Sequence, residues 1–188
     1  MQQDHILFDA IDKDGPQQRA RVYDVPADEL GRGDVMALGP ISIDVNVQKG
    51  NAPGDYLADG EVRFTADLTC ARCVDPYPFA NQSPFHLRFA PRPEGLTEET
   101  EEVELTSEDE LDTEFYAERQ IGLRELAVEQ VQLTIPMKPL CDEGCVGLCP
   151  QCGKNRNREG CECETSVVDE RWGALKDFRT ELLKKKES

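Results

Sequence analysis

The 188-residue sequence has two histidines, one tryptophan and nowhere a run of about 18 apolar residues. The missing apolar run argues against a membrane-spanning helix. The first 30 residues carry Asp4, Asp9, Asp12, Asp14, Asp24 and Asp28 and offer no core for a signal peptide, so an unexported, cytoplasmic protein is expected. A catalytic zinc site normally takes a histidine or carboxylate ligand and keeps one coordination position open, but neither His5 nor His86 stands beside the cysteine cluster. The HxE element of zinc deaminases, the GxSxG elbow, the GxxxxGK[ST] phosphate loop and a strand–GxGxxG–helix unit are all missing. These absences predict a protein that is not an enzyme and takes no small-molecule substrate.

Basic charge is also scarce, with 21 Lys and Arg against 38 Asp and Glu and a net charge of -17. Residues 94–118 hold twelve acidic side chains and no basic one, whereas from Arg119 onward twelve acidic and twelve basic residues balance. Binding of nucleic acid over the whole surface is disfavoured, because such binding needs basic patches that neutralise phosphates. The tract opens after Pro91 and Pro93 and reads as an acidic loop, either plain solvated surface or a docking site for a basic partner. Val103, Leu105 and Phe115 allow short strands within it.

Against these shortages stand eight cysteines. Six fall within 23 residues as Cys141-x3-Cys145-x3-Cys149-x2-Cys152-x8-Cys161-x-Cys163. Cytosolic thiols are kept reduced, so metal ligation is a better use for them than disulfides. In Cys149-Pro150-Gln151-Cys152-Gly153 a tight turn can aim two thiolates at one ion, and Gly153 can take a backbone conformation that a side chain would hinder. Cys161 and Cys163 can close a tetrahedral shell after an eight-residue loop, which predicts one structural zinc ion on Cys149, Cys152, Cys161 and Cys163, with Cys141 and Cys145 as alternates. The segment has only Val146 and Leu148 as sizeable aliphatic side chains. Ordering it costs on the order of 1–2 kcal/mol per residue, whereas zinc contributes about 10–16 kcal/mol in small finger peptides. Cys70 and Cys73 fit a second metal site with Cys141 and Cys145, a redox dithiol, or a strand end with two reduced thiols.

The remaining pattern predicts an α+β protein. Ile41 to Val47 and Val62 to Leu68 alternate as half-buried antiparallel strands, with a turn-rich loop at 50–55 between them. A third strand is expected over Phe85 to Phe89. Gly122 to Leu133 places Leu123, Leu126, Ala127 and Val131 on one helical face until Pro136 ends the pattern. Asp169 to Lys186 reads as a helix with acidic residues first, Lys184 to Lys186 last, and an apolar stripe of Trp172, Leu175, Phe178 and Leu182. The expected plan is an antiparallel β-rich body over 1–140, barrel or sandwich, containing the acidic loop 94–118 and the helix 122–133. A zinc-binding loop over 141–165 and an amphipathic helix over 166–188 complete it.

Several of these segments together resemble the YceD family of bacterial proteins, named for accumulation of large-subunit ribosomal RNA. The likeness is carried by Cys70-Ala71-Arg72-Cys73 after a strand and by Leu133-Thr134-Ile135-Pro136-Met137-Lys138-Pro139-Leu140-Cys141. Gly147-Leu148-Cys149-Pro150-Gln151-Cys152-Gly153 leading to Cys161 and Cys163, and Asp169-Glu170-Arg171-Trp172-Gly173-Ala174-Leu175-Lys176, complete it. Val74 stands where leucine is expected. The resemblance implies a factor needed for synthesis, processing or stability of 23S ribosomal RNA during ribosome assembly, with ribosomal RNA, its precursor or an assembly protein as partner. Given the acidity, RNA contact is expected to be local, through Lys154, Arg156 and Arg158 on the zinc loop with Arg72 assisting, unless this is simply a solvated basic loop. The rival expectation is a zinc-stabilised adaptor whose acidic tract meets a basic protein.

Overall fold

The computed structural model describes residues 4–92 and 113–163. The chain divides into two units: residues up to Cys70 together with Asp75–Cys141, and Ala71–Val74 together with the residues from Asp142 onward.

The first unit is organised by alternating burial. Strand β4 (Ile41–Lys49) buries Ile41, Ile43, Val45 and Val47 on one face. Strand β5 (Tyr56–Thr69) pairs with it antiparallel from Tyr56 to Arg63, and beyond that point the same edge of β5 takes β3 (Val35–Leu38). The other edge pairs along its whole length with β6 (Pro76–Pro91). β2 (Gln17–Tyr23) adds to β4, and β7 (Thr113–Tyr116) adds to β6 in parallel. The result is a six-stranded open sheet that is mostly antiparallel, with no closed barrel among the described residues.

The third strand is far longer than the expected Phe85–Phe89, because Pro76, Pro78 and Pro84 do not stop it. All three fall on the same parity of the strand, and along this stretch, among the described residues, β6 has β5 on one side only. A proline's missing N–H is tolerated where that side of the strand is unpaired. Phe85 and Phe89 are buried and Leu87 packs against the core, so the three share a face.

An element unread in the sequence precedes the sheet. Helix α1 (Phe8–Asp14) is one short amphipathic piece that buries Phe8 and Ile11 three residues apart. Strand β1 (His5–Leu7) leads into it and pairs with β8 (Gln120–Gly122), setting buried Ile6 opposite buried Ile121. The Phe8 ring stacks on Tyr56 at 3.9 Å between centroids and meets Tyr116 edge-on at 4.6 Å. Arg119 then donates to Asp9, Asp12 and the Tyr56 hydroxyl, while that hydroxyl donates to Asp12.

β8 runs directly into helix α2 (Leu123–Thr134), whose buried face is Leu123, Leu126, Ala127, Gln130 and Val131. It packs on β4, β5 and β6, and Ile135 continues the buried row just past its end. Arg32 donates to the carbonyls of Ile135 and Pro136, at 3.2 and 2.8 Å, while its guanidinium is gripped by Asp34. The expected helix over 166–188 and most of the acidic loop, with Val103 and Leu105, lie outside the described residues. Phe115 lies in β7.

Candidate metal centre

Residues 142–163 are built differently. Of their side chains only those of Cys145 and Cys149 are buried, and the two aliphatic ones, Val146 and Leu148, are 52% and 38% exposed. No residue of this segment belongs to the hydrophobic core. What shapes it is a small hairpin: Cys149 N–H donates to the Lys154 carbonyl at 2.8 Å, Arg156 N–H to Gly147 at 3.0 Å, and Leu148 bridges Asn155. Gly147 has φ +80 and lies so close to Arg72 that a Cβ would come within 2.9 Å of the Arg72 carbonyl oxygen, a position closed to any side chain.

The hairpin turn carries the first pair of thiols. Gly153 has φ +72 and its N–H donates to the Cys149 carbonyl at 2.9 Å, closing the Cys149–Cys152 turn. Cys161 and Cys163 return to it, and the four Sγ atoms of Cys149, Cys152, Cys161 and Cys163 lie within 4.8 Å of one another. Zinc–sulfur bonds of about 2.3 Å in a tetrahedron separate the sulfurs by about 3.8 Å, so each pair needs to close by no more than about 1 Å.

The proton balance of this group also suits a cation. Backbone N–H groups of Cys152 and Gln151 point at Cys149 and hold its thiol down to about 6. Cys163 is pushed up to about 12 by its hydrogen bond with Cys152 and by burial, and Cys161 is raised chiefly by its hydrogen bond with Cys149. Thiolates this close repel, so ionising one keeps its neighbours protonated. A divalent cation removes that conflict and lets all four act as ligands.

A second group gathers residues from distant parts of the sequence: the Sγ atoms of Cys70, Cys73, Cys141 and Cys145 are also within 4.8 Å of one another, and three of the four are buried. Cys70 and Cys73 repeat the turn seen at Cys149. Cys70 N–H donates to the Asp75 carbonyl at 3.0 Å, the same five-residue span as Cys149 to Lys154. Val74 takes the place of Gly153, with φ +62 and 60% exposure. A β-branched residue is rare in the left-handed region, and holding it there costs about 1–2 kcal/mol. Both groups of four cysteines have the composition and spacing to hold a metal ion.

The basic run shows a division of labour. In Lys154-Asn155-Arg156-Asn157-Arg158 the three cations are exposed, Lys154 lies 3.9 Å from Glu159, and the asparagines hydrogen-bond within the segment. Asn157 Oδ1 accepts from Val146 N–H at 2.7 Å, and its Nδ2 donates to Cys145 Sγ at 3.2 Å and to Asn155 Oδ1 at 2.9 Å. Arg72 is exposed as well, and its guanidinium donates to the carbonyls of Glu143 and Cys145, at 3.0 and 2.8 Å, while its own carbonyl accepts from Leu148 N–H. The inward role of Asn157 was not read in the sequence. Alternation of cation and amide within the loop is the signal that carries it.

A family model described as "Large ribosomal RNA subunit accumulation protein YceD" matches residues 58–179. An uncharacterized protein of Mycobacterium tuberculosis is 30% identical over 133 residues, which cover 71% of this chain and 60% of that protein. A chloroplastic protein of Arabidopsis thaliana, named as a homolog of the large ribosomal RNA subunit accumulation protein, is 28% identical over 145 residues, 68% of this chain and 45% of its own length. Its namesake in Zea mays is 26% identical over 184 residues, 84% of this chain and 60% of that one. The chain therefore spans less than two thirds of the length of each of these relatives. No solved structure matches it.

Proposed function

The chain belongs to the YceD family, and on that premise we propose that it supports synthesis, processing or stability of 23S ribosomal RNA during ribosome assembly, as a non-catalytic cytoplasmic factor organised by zinc. In this reading Cys149, Cys152, Cys161 and Cys163 hold one ion, and Cys70, Cys73, Cys141 and Cys145 hold a second. The zinc is structural: four thiolates fill the shell and leave no position for substrate. Among the described residues no helix is long and apolar enough to cross a membrane, which accords with a partner met in water.

The observation that carries the RNA reading is the exposed set of Lys154, Arg156 and Arg158 on one short loop, where the exposed Glu159, 3.9 Å from Lys154, is the one acidic side chain and the asparagines hydrogen-bond within the segment. Three phosphate contacts give a log–log salt slope of about -2 to -3, so binding is weak alone and local on an otherwise acidic surface. The test is affinity for a 23S ribosomal RNA fragment against salt, for wild type and for the protein with Lys154, Arg156 and Arg158 replaced by Ala. Loss of affinity and a flatter slope support the reading; unchanged affinity removes this loop from RNA binding.

The charge of -17, concentrated in 94–118, favours a second reading, an adaptor whose acidic tract meets a basic assembly protein. Capture of ribosomal partners that survives ribonuclease favours that version, and capture abolished by ribonuclease favours direct RNA contact.

A further inference from the structure

Two cysteine groups in one small chain raise the question of whether each fills alone. Asn157 belongs by sequence to the loop that joins Cys152 to Cys161, yet its side chain is spent on the other group: Nδ2 donates to Cys145 Sγ at 3.2 Å and Oδ1 accepts from the N–H of Val146, the next residue, at 2.7 Å. One amide thus clamps both the sulfur of Cys145 and the backbone that follows it. The clamp is itself held in place, since Asn157 N–H and Nδ2 both donate to Asn155 Oδ1, and Arg158 and Glu159 N–H donate to the Asn155 carbonyl.

We propose that Asn157 couples the two cysteine groups, so that metal bound by either one favours metal bound by the other. The proposal rests on the reading of both groups as metal sites. Closing Cys149, Cys152, Cys161 and Cys163 on an ion orders the loop 153–160 and fixes Asn157 where its N–H meets the Cys145 sulfur. An N–H donor aimed at a ligand sulfur orients that ligand, as outer-shell donors do in metal sites generally. The exchange is reciprocal: an ion that fixes Cys145 also fixes Asn157, and the loop then loses less freedom when the second group closes.

The test is a titration of chelator-stripped, reduced full-length protein with zinc, followed by native mass spectrometry and repeated with cobalt, whose thiolate absorption reports each site. For the wild type the two-metal species should appear at the expense of the one-metal species. In N157A the one-metal species should rise to the proportion set by independent sites, with affinity for the second ion weakened at least about tenfold. N157D keeps an acceptor for Val146 N–H but has no N–H for the sulfur, so it should lose the coupling as N157A does. Far-UV circular dichroism unchanged in both variants excludes a general folding defect as the cause. Two ions bound independently and alike in all three proteins would overturn the coupling and leave the metal reading intact. A wild type that takes up no metal would overturn both.

Discussion

The sheet unit and the segment 142–163 reach order by different means. In the sheet unit, Ile41, Ile43, Val45, Val47, Val62, Leu68, Leu123 and Val131 are all essentially sealed from solvent, and each contributes by leaving water. In the cysteine segment the interior consists of sulfur and backbone, and its aliphatic side chains face out. Apolar burial therefore tolerates change in proportion to the area lost, whereas four ligands to one ion act together. The first region is expected to weaken by degrees and the second to fail at a single position.

The largest expected effect follows from that contrast. If the proposed zinc reading holds, Cys149→Ser removes one of four ligands and, with it, much of the roughly 10–16 kcal/mol that a structural zinc contributes. Limited proteolysis should then cut the variant within 146–160 while leaving the sheet unit intact, and metal content should fall by one ion per chain. Leu123→Ala is the counterpart in the sheet unit. Leu123 is fully buried, so the cost should be about 2–5 kcal/mol in a denaturant titration, with metal content unchanged.

Smaller effects sharpen the comparison. Arg32→Ala leaves the Ile135 and Pro136 carbonyls without their donor and Asp34 without its partner, and should cost about 1–3 kcal/mol, read as a lower denaturation midpoint. Val74→Gly should act in the opposite direction. It relieves a left-handed valine in a turn that matches the one closed by Gly153, and should stabilise the metal-loaded protein by about 1 kcal/mol, less the added freedom of glycine when unfolded. A Val74→Gly protein with a lower midpoint would contradict the equivalence of the two turns.

What could be read in advance follows the same division. β4, β5 and the face of α2 were legible because burial on one side imposes a period of 2 or 3.6 on the residues themselves. α1 was not, since seven residues offer only Phe8 and Ile11 as a pattern. The parallel pairing of β7 with β6 joins strands with more than twenty intervening residues, and nothing local marks such a partner. Cysteine spacing exposed the pair 149 and 152 and its return at 161 and 163. It left Cys141 and Cys145 between two assignments, because their companions Cys70 and Cys73 stand some seventy positions away, and only the fold gathers the four sulfurs. Arg72 and Asn157 could be named as polar loop residues, but their inward hydrogen bonds depend on the path of the chain.

The most direct test of a sulfur-organised segment beside an apolar-packed one is hydrogen–deuterium exchange on the reduced, full-length protein before and after removal of metal by a chelator. Protection of the Cys149, Gly153 and Arg156 amides should disappear with the metal, while β4 and β5 keep theirs. Metal-free protein in which those three amides remain protected would contradict it.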